Sequence, residues 1–321
     1  MGNDDKRLLG LLEASVARMR PDGVLLSGGI DSSALAYVGA RTNPEIVAVT
    51  VATSGADSPD TAYAKLVAKE LGLQRHVIAE IAPDEFDGLV RKVVIGLQNF
   101  SVHWVTAATV LYKGLERAKQ EGLASVLTGE GSDDLFGTFP VMQNWKHSPE
   151  ELVGFIATRM QDIDVMTGRM AAAIGIGIAL PFHDPTVVDF ALNLPLSVRT
   201  RITNDGKRIT KYPLREAFEG RLPPSVVSRP QTMAFVGAST LETCMHRYVG
   251  CDVEAYRKAF GIDFGNPFEC FLFDIYQNAG LYHPVTEGAA CIHCHSRLRS
   301  ENSVHCTSCG SLQYKGELLP F

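Results

Sequence analysis

Two short runs hold the residue types that phosphate and metal chemistry require. One is Ser27-Gly28-Gly29-Ile30-Asp31-Ser32-Ser33; the other is Gly129-Glu130-Gly131-Ser132-Asp133-Asp134-Leu135-Phe136-Gly137. In the first, two glycines let the backbone approach an anion, and hydroxyls with free N–H groups at a helix N-terminus hold it. Asp31 places a carboxylate among those donors, which beside a bound phosphate points to a bridging Mg²⁺. No lysine follows the glycines, so the run is not a G-x-x-x-x-G-K-[ST] loop, and G-x-G-x-x-G is absent from the turn. A third constellation is Cys291-x-x-Cys294 and Cys306-x-x-Cys309, eleven residues apart. Each pair suits one knuckle, and four thiolates make a closed, structural zinc site. Gly310 fits a tight knuckle, and disulfides are disfavoured in a cytosolic chain. His293, His295 and His305 are expected at the surface, since four cysteines complete the shell. Cys244, Cys251 and Cys270 are isolated; they read as small buried hydrophobes or, alternatively, as a three-cysteine cluster or persulfide carrier.

The elements that must position these runs alternate. Val24–Leu26 reads as a buried strand, followed by a helix over about 32–41. Ile46–Val51 is the next strand, then a helix over about 59–72 and a strand at Arg75–Ile78. A helix over about 103–121 leads into a strand at Val126-Leu127-Thr128. Such alternation predicts an α/β fold, a doubly wound parallel sheet with ligands at the carboxyl ends of its strands, where both runs fall. Residues 149–250 read as mainly helical, punctuated by proline, and 251–284 as an aromatic-rich helical segment. The expected division is a main domain over 1–284, with a sheet core over about 20–140 and a helical part over about 149–284, and a zinc ribbon over 285–321. The ribbon reads as separate from the phosphate loops.

A net charge of −6 gives no electrostatic reason for nonspecific nucleic-acid binding. No apolar run reaches the ~18–20 residues that span a bilayer. The N-terminal pattern Leu8, Leu9, Leu11, Leu12, Val16 is that of a surface helix rather than a signal peptide, and Lys6 breaks a myristoylation motif. A cytoplasmic, non-membrane protein is expected, and a homo-oligomer is compatible with the composition.

The S-G-G-x-D-S run resembles the pyrophosphate loop of N-type ATP pyrophosphatases (the PP-loop group). The second run, with Thr128 before it, resembles the G-E-G-S-D-E-L-F-G segment of asparagine synthetases. Leu180-Pro181-Phe182-His183-Asp184 and Lys211-Tyr212-Pro213-Leu214-Arg215-Glu216-Ala217-Phe218 extend the resemblance over about 5–240. It implies that ATP binds with its adenine near Leu25 and Val51 and its ribose near Gly129. Ser27, Gly28, Gly29, Asp31, Ser32 and Ser33 would hold its phosphates, and Asp31 with Asp133 would hold Mg²⁺. A carboxylate would attack the α-phosphorus, giving an acyl-adenylate and pyrophosphate, and ammonia or an amine would then displace AMP. Glu130, Arg169, Lys211 and Arg229 are the candidate catalytic residues.

Departures from the family pattern are specific. Gly177 and Ala179 stand where the family has Glu and Arg, and Gln231 stands for a lysine that stabilises transition-state charge. Lys207, Lys211, Arg169 or Arg229 could supply that charge instead. Residue 2 is Gly rather than the cysteine of the family's glutaminase domain, so ammonia is expected from solution or a separate subunit. An amide ligase of asparagine-synthetase type is the leading reading. An RNA-modifying enzyme of the tRNA-thiolation type and a catalytically degenerate partner subunit are the alternatives.

Overall fold

The computed structural model describes residues 4–137, 139–203, 208–239 and 251–320. Five parallel strands form the main sheet: β1 (Gly23–Leu25), β2 (Val47–Thr53), β3 (Arg75–Ile81), β4 (Ser125–Leu127) and β5 (Gly177–Ala179). Their order is β3-β2-β1-β4-β5. The chain runs outward from β1 to β3, then returns to the other side of β1 with β4. The crevice between the carboxyl ends of β1 and β4 is therefore the switch point at which such sheets bind ligands. Both glycine-rich runs leave the sheet there.

The helices that flank strands β1 to β4 are α1 (Asp4–Met19), α2 (Ile30–Thr42), α3 (Pro59–Glu70), α4 (Phe86–Leu97) and α5 (Val102–Gln120). Leu8, Leu12, Leu35 and Val67 pack with Leu26 and Ala48 on one face of the sheet. Val90, Val93, Val105 and Leu115 pack with Val49 and Val51 on the other. Consecutive β2 residues, Ala48 and Val49, thus enter different cores, as the two-residue period of a strand requires. The α/β doubly wound architecture follows directly. Among the described residues, no single helix is long and apolar enough to cross a membrane.

The second half corrects several expectations. A long helix does run from Pro149 to Ile174, opened by a Ser148–Glu151 capping box and closed by Gly175 at φ 71°. The segment after it is not helical but is β5, paired in parallel with β4. A Cβ at Gly177 would lie 3.0 Å from the Ala124 carbonyl oxygen, so a larger residue there would press on the neighbouring strand. Three residues, Gly177-Ile178-Ala179, are too short to show a strand's alternation. The helix α4 was also not anticipated, although Phe86, Leu89, Val90, Val93, Val94 and Leu97 form a buried stripe at helical spacing. Strand β3 runs on to Ile81, and an antiparallel pair, Arg201–Ile202 with Arg208–Ile209, interrupts the helical half.

The cysteine segment packs against the main core. Cys291, Cys294, Cys306 and Cys309 share the apolar cluster of α4 and α5, while Val304 and Leu312 join the cluster on the other face. His305, expected at the surface, is buried against Trp104, at a ring separation of 5.2 Å. His293 is half-buried and His295 exposed. Cys270 is buried, with the Cys251 thiol beside it. Cys244 and Lys207 lie outside the described residues.

Candidate nucleotide site and cysteine site

The first loop is shaped by glycine and wired by its own hydroxyls. Gly28 has φ 72°, and a Cβ there would fall 2.4 Å from Tyr63 Cβ on α3, so only glycine fits. The Ser27 backbone N–H donates to Ser32 Oγ at 3.1 Å, and the Gly29 N–H to Ser27 Oγ at 3.3 Å. The Ser32 hydroxyl donates to the Gly29 carbonyl at 3.2 Å. The second loop turns at Gly131, φ 87°, where a Cβ would meet His183 Nε2 at 2.7 Å. The two loops touch: a Cβ on Gly129 would lie 3.0 Å from Asp31 Cβ. Ser132 Oγ donates to Asp31 Oδ1 at 2.5 Å.

Lys211 closes this junction. Its ammonium is fully buried, donates to Asp31 Oδ2 and lies 3.0 Å from Asp133 Oδ1. Burial alone would lower its pKa; the charges of Asp133 and Asp31 outweigh that and raise it. Its backbone sits at φ 56°, an uncommon conformation for a residue with a side chain. Gln231 Nε2 donates to the same Asp133 oxygen at 3.2 Å. Glu130 lies beside the cluster, half-buried, and its carboxyl is pushed up to about 7. Burial contributes most, followed by the charges of Asp133 and Asp134, with Lys211 opposing. Two hydroxyls at the crevice, Ser33 Oγ and Thr128 Oγ1, are buried without a hydrogen-bond partner. Paired carboxylates around one cation, with idle donors at the strand ends, suit a Mg²⁺–phosphate group chemically.

The remaining candidates separate. Leu25 and Val51 pack together against α5, where a Cβ on Gly114 would come within 3.0 Å and 3.2 Å of them. Arg229 reaches the first loop from behind. Its Nη1 donates to the Ser27 carbonyl at 2.9 Å, its Nη2 to Asp60 Oδ1 at 2.6 Å, and it stacks on the Tyr63 ring at 4.2 Å. Arg169 is not brought to the loops: its Nη1 donates to the Leu97 carbonyl at 3.1 Å, at the end of α4. It is thus no source of charge at the crevice.

A family model described as asparagine synthase matches residues 7–155 and 144–249. The chain belongs to the asparagine synthase family. Asparagine synthetase B [glutamine-hydrolyzing] of Escherichia coli is 32% identical over 243 residues, which cover 70% of this chain and 43% of that protein. A probable asparagine synthetase of Acanthamoeba polyphaga mimivirus is 29% identical over 252 residues, covering 74% and 44%. The chain therefore spans less than half the length of these relatives. Among solved structures, NMN synthetase from Francisella tularensis aligns at TM-score 0.39 and 13% identity, over 89% of this chain and 98% of that one. The U34-tRNA thiolase from Methanococcus maripaludis with its [4Fe-4S] cluster aligns at 0.33 and 13%, over 92% and 84%.

Around these asparagine-synthase loops the sequence reading missed the buried groups that hold them. Asp134 is ion-paired with a fully buried Arg159 from the long helix Pro149–Ile174. Its signal is an arginine among Phe155, Ile156, Met160 and Ile163, on the apolar face of that helix. Asp60, the partner of Arg229, was hidden behind its ordinary appearance in the first turn of α3.

The cysteines lie beyond the residues matched to the asparagine synthase family. Their four sulfurs fall within 4.8 Å of one another, with Cys291 and Cys309 3.7 Å apart and Cys294 and Cys306 3.8 Å apart. These separations exceed a disulfide bond and equal the edge of a tetrahedron with metal–sulfur bonds of about 2.3 Å. All four thiols are buried, so the set is closed to a further ligand. The donor set could hold a metal ion; tetrahedral S₄ suits zinc and iron alike.

Proposed function

We propose that the chain is an ATP-dependent, AMP- and pyrophosphate-forming ligase that adenylates a substrate carboxylate and passes the acyl group to ammonia or an amine. The observation that carries this reading is the buried Lys211 ammonium held between Asp31 and Asp133, carboxylates from two loops that leave adjacent parallel strands. Two anions that need a cation, at the switch point of the sheet, make a receptor for Mg²⁺ and a polyphosphate. Asp31 and Asp133 would hold the metal, which supplies charge neutralisation on the leaving pyrophosphate. The Ser27–Ser33 loop presents N–H and hydroxyl donors to the phosphates. Leu25 at the end of β1, Val51 in β2 and the backbone at Gly129 would flank the nucleoside. Lys211 offers the positive charge that Gln231 cannot, and Gln231 keeps Asp133 in place. Glu130, poised near neutrality, takes or gives a proton at the nucleophile. Arg229 acts from behind, fixing the Ser27 carbonyl.

The cysteine set is proposed to hold one structural zinc. Ammonia would come from solution or from a separate ammonia-supplying subunit. The test is a screen of carboxylates, with ammonium and with tRNA as a separate arm, for Mg–ATP-dependent release of pyrophosphate. AMP and pyrophosphate are the expected products. Substrate-dependent ADP and phosphate would overturn the reading, and products formed only with tRNA would move it to RNA modification.

A further inference from the structure

We infer that the metal-bearing cysteine segment braces the second nucleotide loop through Arg159, so that metal occupancy and Mg–ATP affinity are thermodynamically coupled. The inference rests on the nucleotide reading above and goes beyond it by giving the segment a function.

The connection can be followed residue by residue. Asp134, next to Asp133, is buried and accepts a hydrogen bond from Arg159 Nε. The Arg159 guanidinium lies 4.7 Å from the Phe139 ring centre and 5.5 Å from that of Trp104. Trp104 in turn meets the second cysteine knuckle. Its ring stands 5.2 Å from His305, and a Cβ on Gly310 would fall 2.5 Å from its Cδ1. The same knuckle is bolted to the turn between α4 and α5. Asn99 Nδ2 donates to the Thr307 carbonyl at 2.9 Å, and the Phe100 N–H to the Ser308 carbonyl at 2.8 Å. The segment also grips the helix that carries Arg159, one turn on. Arg299 Nε donates to the buried Asp162 at 2.9 Å, and its Nη2 to Gln161 Oε1 at 3.0 Å.

The knuckle has little else to define it. Among the described residues of the segment, regular structure is limited to a three-residue pair, Leu312–Tyr314 with Glu317–Leu319. A small loop-rich segment closed by four thiols takes its shape from the metal they bind. Losing that shape withdraws one wall from Trp104, then from the Arg159 stack. Arg159 is therefore a positioning residue: it touches no substrate, but it fixes the carboxylate beside Asp133. Because coupling between two binding events is reciprocal, Mg–ATP must also hold the metal more tightly.

The experiment uses the full chain in reductant. Mg–ATP binding is measured by calorimetry on metal-loaded protein and on protein stripped by a chelator. The equilibrium release of zinc to a chromogenic chelator is then measured with and without saturating Mg–ATP. The expected result is Mg–ATP binding weakened about tenfold on stripping, and zinc held more tightly by the same factor when nucleotide is present. Arg159→Met should retain zinc yet abolish the effect of Mg–ATP on its release, and Arg159→Lys should restore part of it. Should Arg159→Met fail to fold, Arg299→Ala tests the same grip from a half-exposed position and should reduce the effect. Equal nucleotide affinity with and without metal in folded protein, or zinc release indifferent to Mg–ATP, overturns the coupling. If the metal-loaded protein binds no Mg–ATP at all, the nucleotide reading itself falls.

Discussion

The nucleotide crevice and the cysteine cluster both collect charge in a buried place, but they balance it differently. At the crevice, Asp31 and Asp133 are served by Lys211, an internal cation brought in from a segment 180 residues beyond Asp31. At the cluster, no lysine or arginine hydrogen-bonds to a sulfur among the described residues; the thiols face one another and a serine hydroxyl. The crevice carries a cation of its own. The cluster, among the described residues, carries none.

That contrast is tested most severely at the cysteines. Cys306→Ser should bring metal content from one per chain toward zero and loosen residues 285–320, read as early proteolysis there and a lower melting temperature. Structural zinc in small domains carries ~10 kcal/mol or more of apparent binding free energy, so this is the largest effect expected. A variant with wild-type melting and no metal would show that packing against α4 and α5 defines the segment by itself.

Lys211→Met probes the other half. Removing one partner of a buried ion cluster costs about 3–5 kcal/mol, and losing a preorganised charge costs about 10²–10³ in turnover. The vacated site should then take Mg²⁺ in the lysine's place. Added Mg²⁺ without nucleotide should raise the melting temperature of Lys211→Met more than that of the wild type. An equal rise in both would mean that Asp31 and Asp133 do not share a cation.

How much of this was legible in the sequence follows from distance along the chain. The loops and the cysteine pairs are local runs whose spacing alone states their chemistry, and strands β1 to β4 follow from apolar runs bounded by turns. The groups that finish the site are not local. Lys211 meets Asp31, Arg229 meets Asp60 and Arg159 meets Asp134 only because the fold brings them together. No period or motif couples those pairs. The placing of His305 failed for a related reason: with four cysteines completing the shell, a nearby histidine has no ligand role and reads as exposed until Trp104 is found to cover it. Strand β5 was lost because its hydrogen bonds to β4, rather than its three residues, make it a strand.

The proton balance of the crevice offers a third test. The Glu130 carboxyl is raised from 4.5 to about 7, so between those values the folded chain holds a proton that the unfolded chain has released. Stability must therefore fall as pH rises across that window, and level off above it, by up to about 3 kcal/mol. Glu130→Gln should remove this contribution and be relatively more stable at pH 8 than at pH 5. Denaturant melts of both proteins at the two pH values measure the difference; parallel pH profiles would show that Glu130 ionises freely.

The smallest effect is expected where charge is balanced near water. Arg18 pairs with Asp184, and the arginine side chain is 56% exposed. Asp184 is also satisfied locally, accepting from the Thr186 backbone N–H at 3.0 Å and its hydroxyl at 2.7 Å as cap of the helix Pro185–Leu192. Arg18→Ala should therefore cost no more than about 1 kcal/mol, since solvent and the cap replace what the guanidinium supplied. Asp184→Ala should cost more, by the loss of the cap, typically about 1 kcal/mol on its own. Chemical denaturation of the two variants ranks them. If Arg18→Ala were as damaging as Lys211→Met, the burial of the cation would not be what sets the crevice apart, and the balance of charge there would need another cause.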